Sequence, residues 1–283
     1  MNFIANVPKL PLDSWVEWLV AFLRGNIRWF FDGIRDGLNW VLNNIEGLLS
    51  LGHPVVLFAI LVVLATVIAG WRMGVFTLAG FGYVLNAGLW SEMVQTISLV
   101  VTAMIFILLI GLPLGIWAGR NDKVHATIRP LLDFLQTLPA FVYLIPAVMF
   151  FGIGMVPGAV ATLIFAIAPL IRLTSLGIRQ VPKDLIEASD AFGATEMQKL
   201  FKVQLPVART TIMAGVNQSI MLGLSMVIIA AMAGAQGLGR EVLAAIQRVD
   251  VGNGFVAGLA VVILAIFLDR LTATFGEKKQ TKA

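Results

Sequence analysis

Long stretches of this chain carry no charge at all. No charged residue lies between Glu46 and Arg72, Arg72 and Glu92, Glu92 and Arg120, Asp133 and Arg172, Arg209 and Arg240, or Asp250 and Asp269. A helix crossing the hydrocarbon core of a bilayer needs roughly 20 apolar residues, because lipid offers no partner to its backbone polar groups. Five of these windows hold one span each. The long one, Phe134 to Ile171, holds two, with a break at Gly152, Gly154, Pro157 and Gly158. The expectation is an all-α polytopic membrane protein with about seven transmembrane helices. Its weakest span is Met73 to Leu89, diluted by Gly74, Gly80, Gly82 and Gly88. Apolar residues make up 59% and charged ones 13%, far from a soluble balance. With no cysteine, a disulfide framework and a thiolate metal site are both excluded.

Lysine and arginine set the orientation. If the carboxyl end is cytoplasmic, the inside segments hold Arg72, then Arg120, Lys123 and Arg129, then Arg172, Arg179, Lys183, Lys199, Lys202 and Arg209, and finally Arg270, Lys278, Lys279 and Lys282. The outside keeps only Lys9, Arg24, Arg28, Arg35, Arg240 and Arg248, as the positive-inside rule expects. An odd span count then puts the amino terminus outside. No basic run followed by an apolar stretch and a small-residue cleavage site opens the chain, so no removable leader is expected.

Ahead of the spans, Asp13 to Leu49 reads as helix too charged to cross. Ser14 and Glu17 have capping-box spacing, and Ile27, Phe30, Phe31, Ile34, Leu38, Val41, Leu42 and Ile45 recur at three- and four-residue steps. Boundary tryptophans and a mixed-charge outer face favour helices lying in the headgroup layer over a hairpin packed on the protein. Gly111, Gly115 and Gly119 share a helix face, which permits close packing or a dimer seam. Pro139, Pro146 and Pro169 are expected to kink spans.

The longest water-compatible segment between spans is Val181 to Pro206, which the charge asymmetry puts inside. Lys183 to Phe192 reads as one helix behind Pro182, and Gly193 ends it in the left-handed region. Thr195 with Gln198 is a capping box that restarts a helix, expected to run to about Val203, and Pro206 opens the next span.

Glu187, Ala188, Ser189, then Gly193, then Val203, Leu205 and Pro206 resemble the EAA loop of importer-type ABC transporter permeases. Ser189 stands where alanine is usual in that loop, and Val203 where isoleucine is. The resemblance runs from about Ser91 to Gly276. LQTLPAFVYLIPAVMFFGIG from Leu135 and AAMAGAQGLGREVLAAIQ from Ala230 look like the glycine betaine and proline betaine permeases of the ProU and Opu type. It implies the type I importer fold and this division: residues 1–50 as an amphipathic scaffold, 51–90 as two accessory spans, 91–276 as the permease core with coupling loop 181–206, and 277–283 as a cytoplasmic tail.

It also implies that the loop couples to a separate ATPase. Glu187 would make polar contacts, Gly193 would set the corner, Leu185, Ala188, Phe192 and Met197 would fill apolar space, and Ser189, Leu205 and Pro206 would complete the motif. The implied partners are a second permease copy, two ATPase subunits that bind ATP and magnesium, an extracellular substrate-binding protein and the lipid bilayer of a bacterial cell membrane. That binding protein, not this chain, would recognise the quaternary ammonium through stacked aromatics.

Absences narrow the function further. The windows hold no ionisable group of the kind that ion-coupled carriers keep at mid-membrane. No G-x-x-x-x-G-K-[ST] loop is present, so this chain is expected to be no enzyme and to hold no cofactor itself. No basic cluster interleaves with stacking aromatics, which argues against nucleic acid. His53 and His125 are isolated. Asn217, Gln218 and Ser219, with Tyr143, are mild polar residues that could line a route or bond within the bundle. The expected function is a permease subunit for compatible solutes. Its rivals are a related permease for choline, carnitine or methionine, a secondary transporter or channel, and a structural membrane protein.

Overall fold

The structure, a computed structural model, describes residues 11–277, and side chains for all of these except 12, 13, 16 and 275–277. Lys9, the residues of the 277–283 tail beyond Glu277, and the rest of 1–10 lie outside the described residues.

The chain begins with α1 (Leu12–Asn26) and α2 (Arg28–Leu49). The helix pair starts earlier than the Ser14–Glu17 spacing suggests. Pro11 is the residue at the N-cap, and the Ser14 hydroxyl, already in the first turn, donates back to the Pro11 carbonyl at 2.9 Å instead of capping. α2 is not only a surface helix. Leu38 and Leu42 are buried with Val156, and Phe31 stacks on Phe150 with centroids 4.2 Å apart, while Trp15, Trp18, Trp29 and Trp40 stay exposed on the same pair. One stripe therefore grips the bundle, and the aromatic remainder suits a bilayer interface.

α3 (Pro54–Ala69) and α4 (Trp71–Asn86) form a short hairpin about Gly70, which takes φ +90°. Two glycines of α4 are points of contact. A Cβ at Gly74 would stand 2.0 Å from Thr66 Oγ1, and one at Gly80 would stand 2.6 Å from Ile263 Cγ2.

The centre is built from α5 (Trp90–Arg120), α8 (Met155–Arg179) and α11 (Leu205–Met232). α5 and α8 run side by side in one direction: a Cβ at Gly111, Gly115 or Gly119 would meet Leu170 at 3.0 Å, Thr174 at 2.6 Å or Ile178 at 2.9 Å. The glycine stripe is thus consumed within the chain, which corrects the dimer-seam reading. On its other side α8 packs against α11 in the opposite direction, with Gly177 against Thr211 and Ala208, Gly215 against Leu170 and Leu173, and Gly158 against Ala230. α13 (Val251–Glu277) closes the bundle against α4, placing Phe81 and Phe267 4.7 Å apart.

Among the described residues, four helices are long and apolar enough to cross a membrane: α5, α8, Glu196–Met232 and Val251–Thr274. α2 with α3, and α6 (Asp122–Thr137) with 140–151, qualify only as pairs bent by 93° and 106°. The window count of about seven is approximate. The long window shows why. Its second half is α8, behind Gly152 (φ +82°) and Gly154 (φ +141°), as expected. Its first half is a 3-10 turn (Ala140–Tyr143) and α7 (Leu144–Phe151), because Pro139 sits at the bend after α6 and not inside a span.

These directions gather the ends of α5, α8 and α13, the start of α11 and the α3–α4 turn at one end of the bundle. At the other end, the turn between α11 and α12 (Leu238–Arg248) is seated without slack. Gly154 N–H donates to the Ala233 carbonyl at 2.9 Å, and Leu238 N–H donates to Thr96 Oγ1 at 2.8 Å. A Cβ at Gly239 would collide with the Val227 carbonyl oxygen at 2.3 Å.

Candidate functional site: the loop between α8 and α11

The loop carries α9 (Lys183–Ala191) and α10 (Glu196–Lys199). Pro182 precedes α9 as its N-cap. The helix ends in a Schellman arrangement: Gly193 at φ +73° donates to the Asp190 carbonyl at 2.9 Å, and Ala194 donates to the Ser189 carbonyl at 3.0 Å. The chain then restarts through a full capping box. Gln198 N–H donates to Thr195 Oγ1 at 3.3 Å, and Thr195 N–H donates to Gln198 Oε1 at 2.9 Å. Local chemistry alone therefore makes the corner.

The second helix does not stop near Val203. It passes through a π turn, Leu200–Gln204, straight into α11, giving one helix from Glu196 to Met232. Pro206 has no N–H to offer the Lys202 carbonyl, and the wider π turn just ahead of it accommodates the ring. The corner is consequently fixed to the end of a long span, with Leu200 buried against Ile178 and Ala208, and Leu205 packed on them.

Four ion pairs hold this end together. Lys199, only 8% exposed, places Nζ 2.5 Å from Asp190 Oδ1 and 3.0 Å from Glu196 Oε1. Arg120 at the end of α5 takes the other Glu196 oxygen. Arg179 at the end of α8 donates to Asp122 Oδ1 at 2.6 Å and to the Ala118 carbonyl at 2.8 Å. The Lys199 ammonium holds the Glu196 carboxyl below the usual carboxylate range, and Asp190, with Glu196 second, pushes the Lys199 ammonium above the usual lysine range.

What the loop presents is apolar. Leu185, Phe192 and Met197 are 44%, 92% and 59% exposed, and Glu187 and Ala188 are exposed beside them on α9. Ser189 turns inward, its hydroxyl donating to the Ile186 carbonyl at 2.7 Å. Pro206 is exposed. Sequence reading missed Phe201, 59% exposed four residues after Met197 and so on the same helix face, and it missed the Lys199–Asp190 bond. A phenylalanine left almost wholly open on a braced corner is the kind of surface that marks a partner.

The mild polar residues within the spans fall in separate places. The Tyr143 hydroxyl donates to the Leu135 carbonyl, with the ring buried near Phe165. Asn217 Nδ2 donates to Asp269 Oδ1 at 2.8 Å, and the Thr272 hydroxyl lies 2.9 Å from Asn217 Oδ1. Gln218 is exposed, and Ser219 is fully buried with no partner for its hydroxyl among the described residues. Asp269, which bounded the last charge-free window, lies inside α13. Among the described residues no three metal-ligating side chains converge. At Gly237 and Gly239 the backbone packs directly on Thr96 and on the Val227 carbonyl.

A family model described as "binding-protein-dependent transport system inner membrane component" matches residues 111–279. The chain is 49% identical to the glycine betaine/carnitine transport permease protein GbuB of Listeria monocytogenes, covering 98% of this chain and 99% of that one. It is 49% identical to the glycine betaine transport system permease protein OpuAB of Bacillus subtilis, covering 98% of each. It is 52% identical to the glycine betaine/proline betaine transport system permease protein ProW of Escherichia coli, covering 96% of this chain and 77% of that one. A chain of the MetNI methionine ABC transporter, solved facing inward, matches in fold with TM-score 0.58 at 23% identity, covering 69% of this chain and 94% of that one.

Proposed function

The chain belongs to the binding-protein-dependent transport system inner membrane components, the ABC importer permeases, and from that premise we propose that it carries glycine betaine and closely related compatible solutes inward. The observation behind the substrate is that relatives about half identical over nearly the whole chain are each named for glycine betaine. A path without a fixed midplane charge suits a zwitterion, since conduction needs sites weak enough to leave.

Two copies of the chain form the path, each seated on its own ATPase subunit, and an extracellular binding protein delivers solute to the α12 side. ATP and magnesium are held by the ATPase. The amino terminus is outside and the carboxyl terminus cytoplasmic. The gathering of Arg72, Arg120, Arg179, Lys199 and Arg270 at one end of the bundle supports this orientation, because lysine and arginine concentrate on the cytoplasmic side.

Coupling runs through the corner. Leu185, Ala188, Phe192 and Met197 fill a groove of the ATPase, Glu187 makes polar contacts at its edge, and Gly193 keeps the two short helices at their angle. Ser189, Leu205 and Pro206 hold that surface on the body of the chain. Closure of the ATPase pair on ATP moves the corner, and a continuous helix from Glu196 carries the motion to the far side of the bundle. Asn217, Gln218, Ser219 and Tyr143 are the side chains we assign to the path.

The test is reconstitution with the co-purified ATPase and binding protein, followed by uptake of labelled glycine betaine with choline, carnitine and proline as competitors. ATP-dependent uptake with glycine betaine preferred is the expected result. A preference for another solute overturns the substrate, and uptake without the ATPase overturns the mechanism.

A further inference from the structure

At the end of the bundle opposite α12, a groove of about 570 Å³ opens between the α3–α4 turn and the last turns of α13. Arg72 and Arg270 line it, and Met73, Phe76 and Ile266 form an apolar wall. We propose that this groove holds one anionic phospholipid, with its phosphate between the two guanidinium groups and its chains along that wall. The inference rests on the membrane placement of the bundle and not on the transport reading.

Charge is the first argument. No carboxylate lines the groove. The neighbouring Asp269 directs Oδ1 to Asn217, and its other oxygen stands 3.9 Å from Arg270 Nε, on a side chain that is 68% exposed. Arg72 meets no carboxylate among the described residues, and its guanidinium lies 5.7 Å from the Trp71 ring centre. Two forked cations lining one cavity that no carboxylate enters, one of them held only by a 3.9 Å contact to Asp269, match a phosphate diester, whose oxygens they can bond in pairs.

Depth is the second. α3 and α4 are 16 residues each, shorter than the roughly 20 a bilayer core asks for. A short hairpin draws headgroups toward its ends, which brings lipid phosphate to the level of Arg72. Trp71, 69% exposed, stands at that level, where interfacial tryptophans gather.

The apolar wall separates lipid from free phosphate. Inorganic phosphate would use only the arginines and leave the half-buried Phe76 and the 39% exposed Ile266 uncovered. One amphiphile uses both, as basic pockets between spans on the cytoplasmic side do.

The experiment uses the full chain in nanodiscs, with Trp71 as its single tryptophan and phenylalanine at the other tryptophan positions. Quenching by brominated phosphatidylglycerol is compared with quenching by brominated phosphatidylcholine at equal mole fraction. The expected result is a preference for the first of at least about fivefold, the factor one arginine near an anionic surface supplies. Arg270→Gln should reduce it, Arg72→Gln with Arg270→Gln should bring it to about one, and inorganic phosphate in the buffer should leave it unchanged. Equal quenching by the two lipids, a preference that survives the double substitution, or its abolition by inorganic phosphate overturns the proposal. Native mass spectrometry of the unsubstituted chain is a second reading. Retention of phosphatidylglycerol no greater than that of phosphatidylcholine counts against the site.

Discussion

Lys199 reaches back across the Gly193 corner to Asp190, Nζ to Oδ1 at 2.5 Å, and so pins the end of α9 to the start of the helix that becomes α11. The bond joins the part of the loop that faces outward to the part that enters the bundle. Lys199→Gln should therefore leave the fold and ATPase binding largely intact but lower uptake per ATP hydrolysed. Transport and hydrolysis measured together in proteoliposomes check this, and an unchanged ratio in Lys199→Gln and Asp190→Asn alike would remove the pin from the mechanism.

Lys199 and its second partner, Glu196, predict a flat pH response. Glu196 has a lowered pKa, so its contribution is complete above the ordinary carboxylate range and is lost as pH falls through the lowered value. Lys199 has a raised one, so its contribution is complete below the ordinary lysine range and is lost as pH rises through the raised value. Neither titrates near neutrality. The uptake-to-hydrolysis ratio should stay constant between about pH 6 and pH 8, well inside both limits, and a step in that interval would have to come from another group.

Gly193 holds φ +73° with nothing within 4 Å of where a Cβ would sit, so the constraint there is backbone conformation and not space. Gly193→Val should strain the corner by about 1–3 kcal/mol, because β-branched residues avoid positive φ. Gly193→Asn should be milder, since asparagine tolerates that region. Crosslinking from Phe192 to the ATPase, with uptake in parallel, reads the effect. Full coupling in the valine variant would refute the corner model.

Gly115 is limited by space instead. Its Cβ would come within 2.6 Å of Thr174 Cβ and 3.1 Å of the Ile171 carbonyl oxygen. Gly115→Val should push α5 from α8 and cost about 1–3 kcal/mol, the usual range for overpacking. Gly258→Ala, inside α13 with nothing within 4 Å, serves as the control and should leave stability unchanged or raise it by up to about 1 kcal/mol. Thermal unfolding in detergent measures both.

Asn217 and Asp269 tie α11 to α13 at 2.8 Å. Asn217→Leu and Asp269→Leu should each destabilise the bundle, with a coupling energy of about 0.6–2 kcal/mol in a double-mutant cycle, the range for hydrogen bonds between membrane helices. If Asn217 also touches solute in transit, its substitution raises KM in uptake assays beyond what Asp269→Leu does. Equal KM values in the two variants would assign Asn217 to the tie alone.

Much of this was legible without coordinates because the interactions that decide it are short-ranged. The corner is read from Gly193, Thr195 and Gln198, since a left-handed cap and a capping box close within three to five residues. Membrane class follows from charge-free windows, because lipid penalises every ionised side chain regardless of its neighbours. Tertiary structure decided the rest. It joined α10 to α11 through a π turn, matched the Gly111–Gly115–Gly119 stripe to α8 of the same chain, bent the first half of the long window at Pro139, and brought Arg72 beside Arg270. Each of these depends on which helix lies against which, and residues 52 apart such as Asn217 and Asp269 carry no local mark that they will meet.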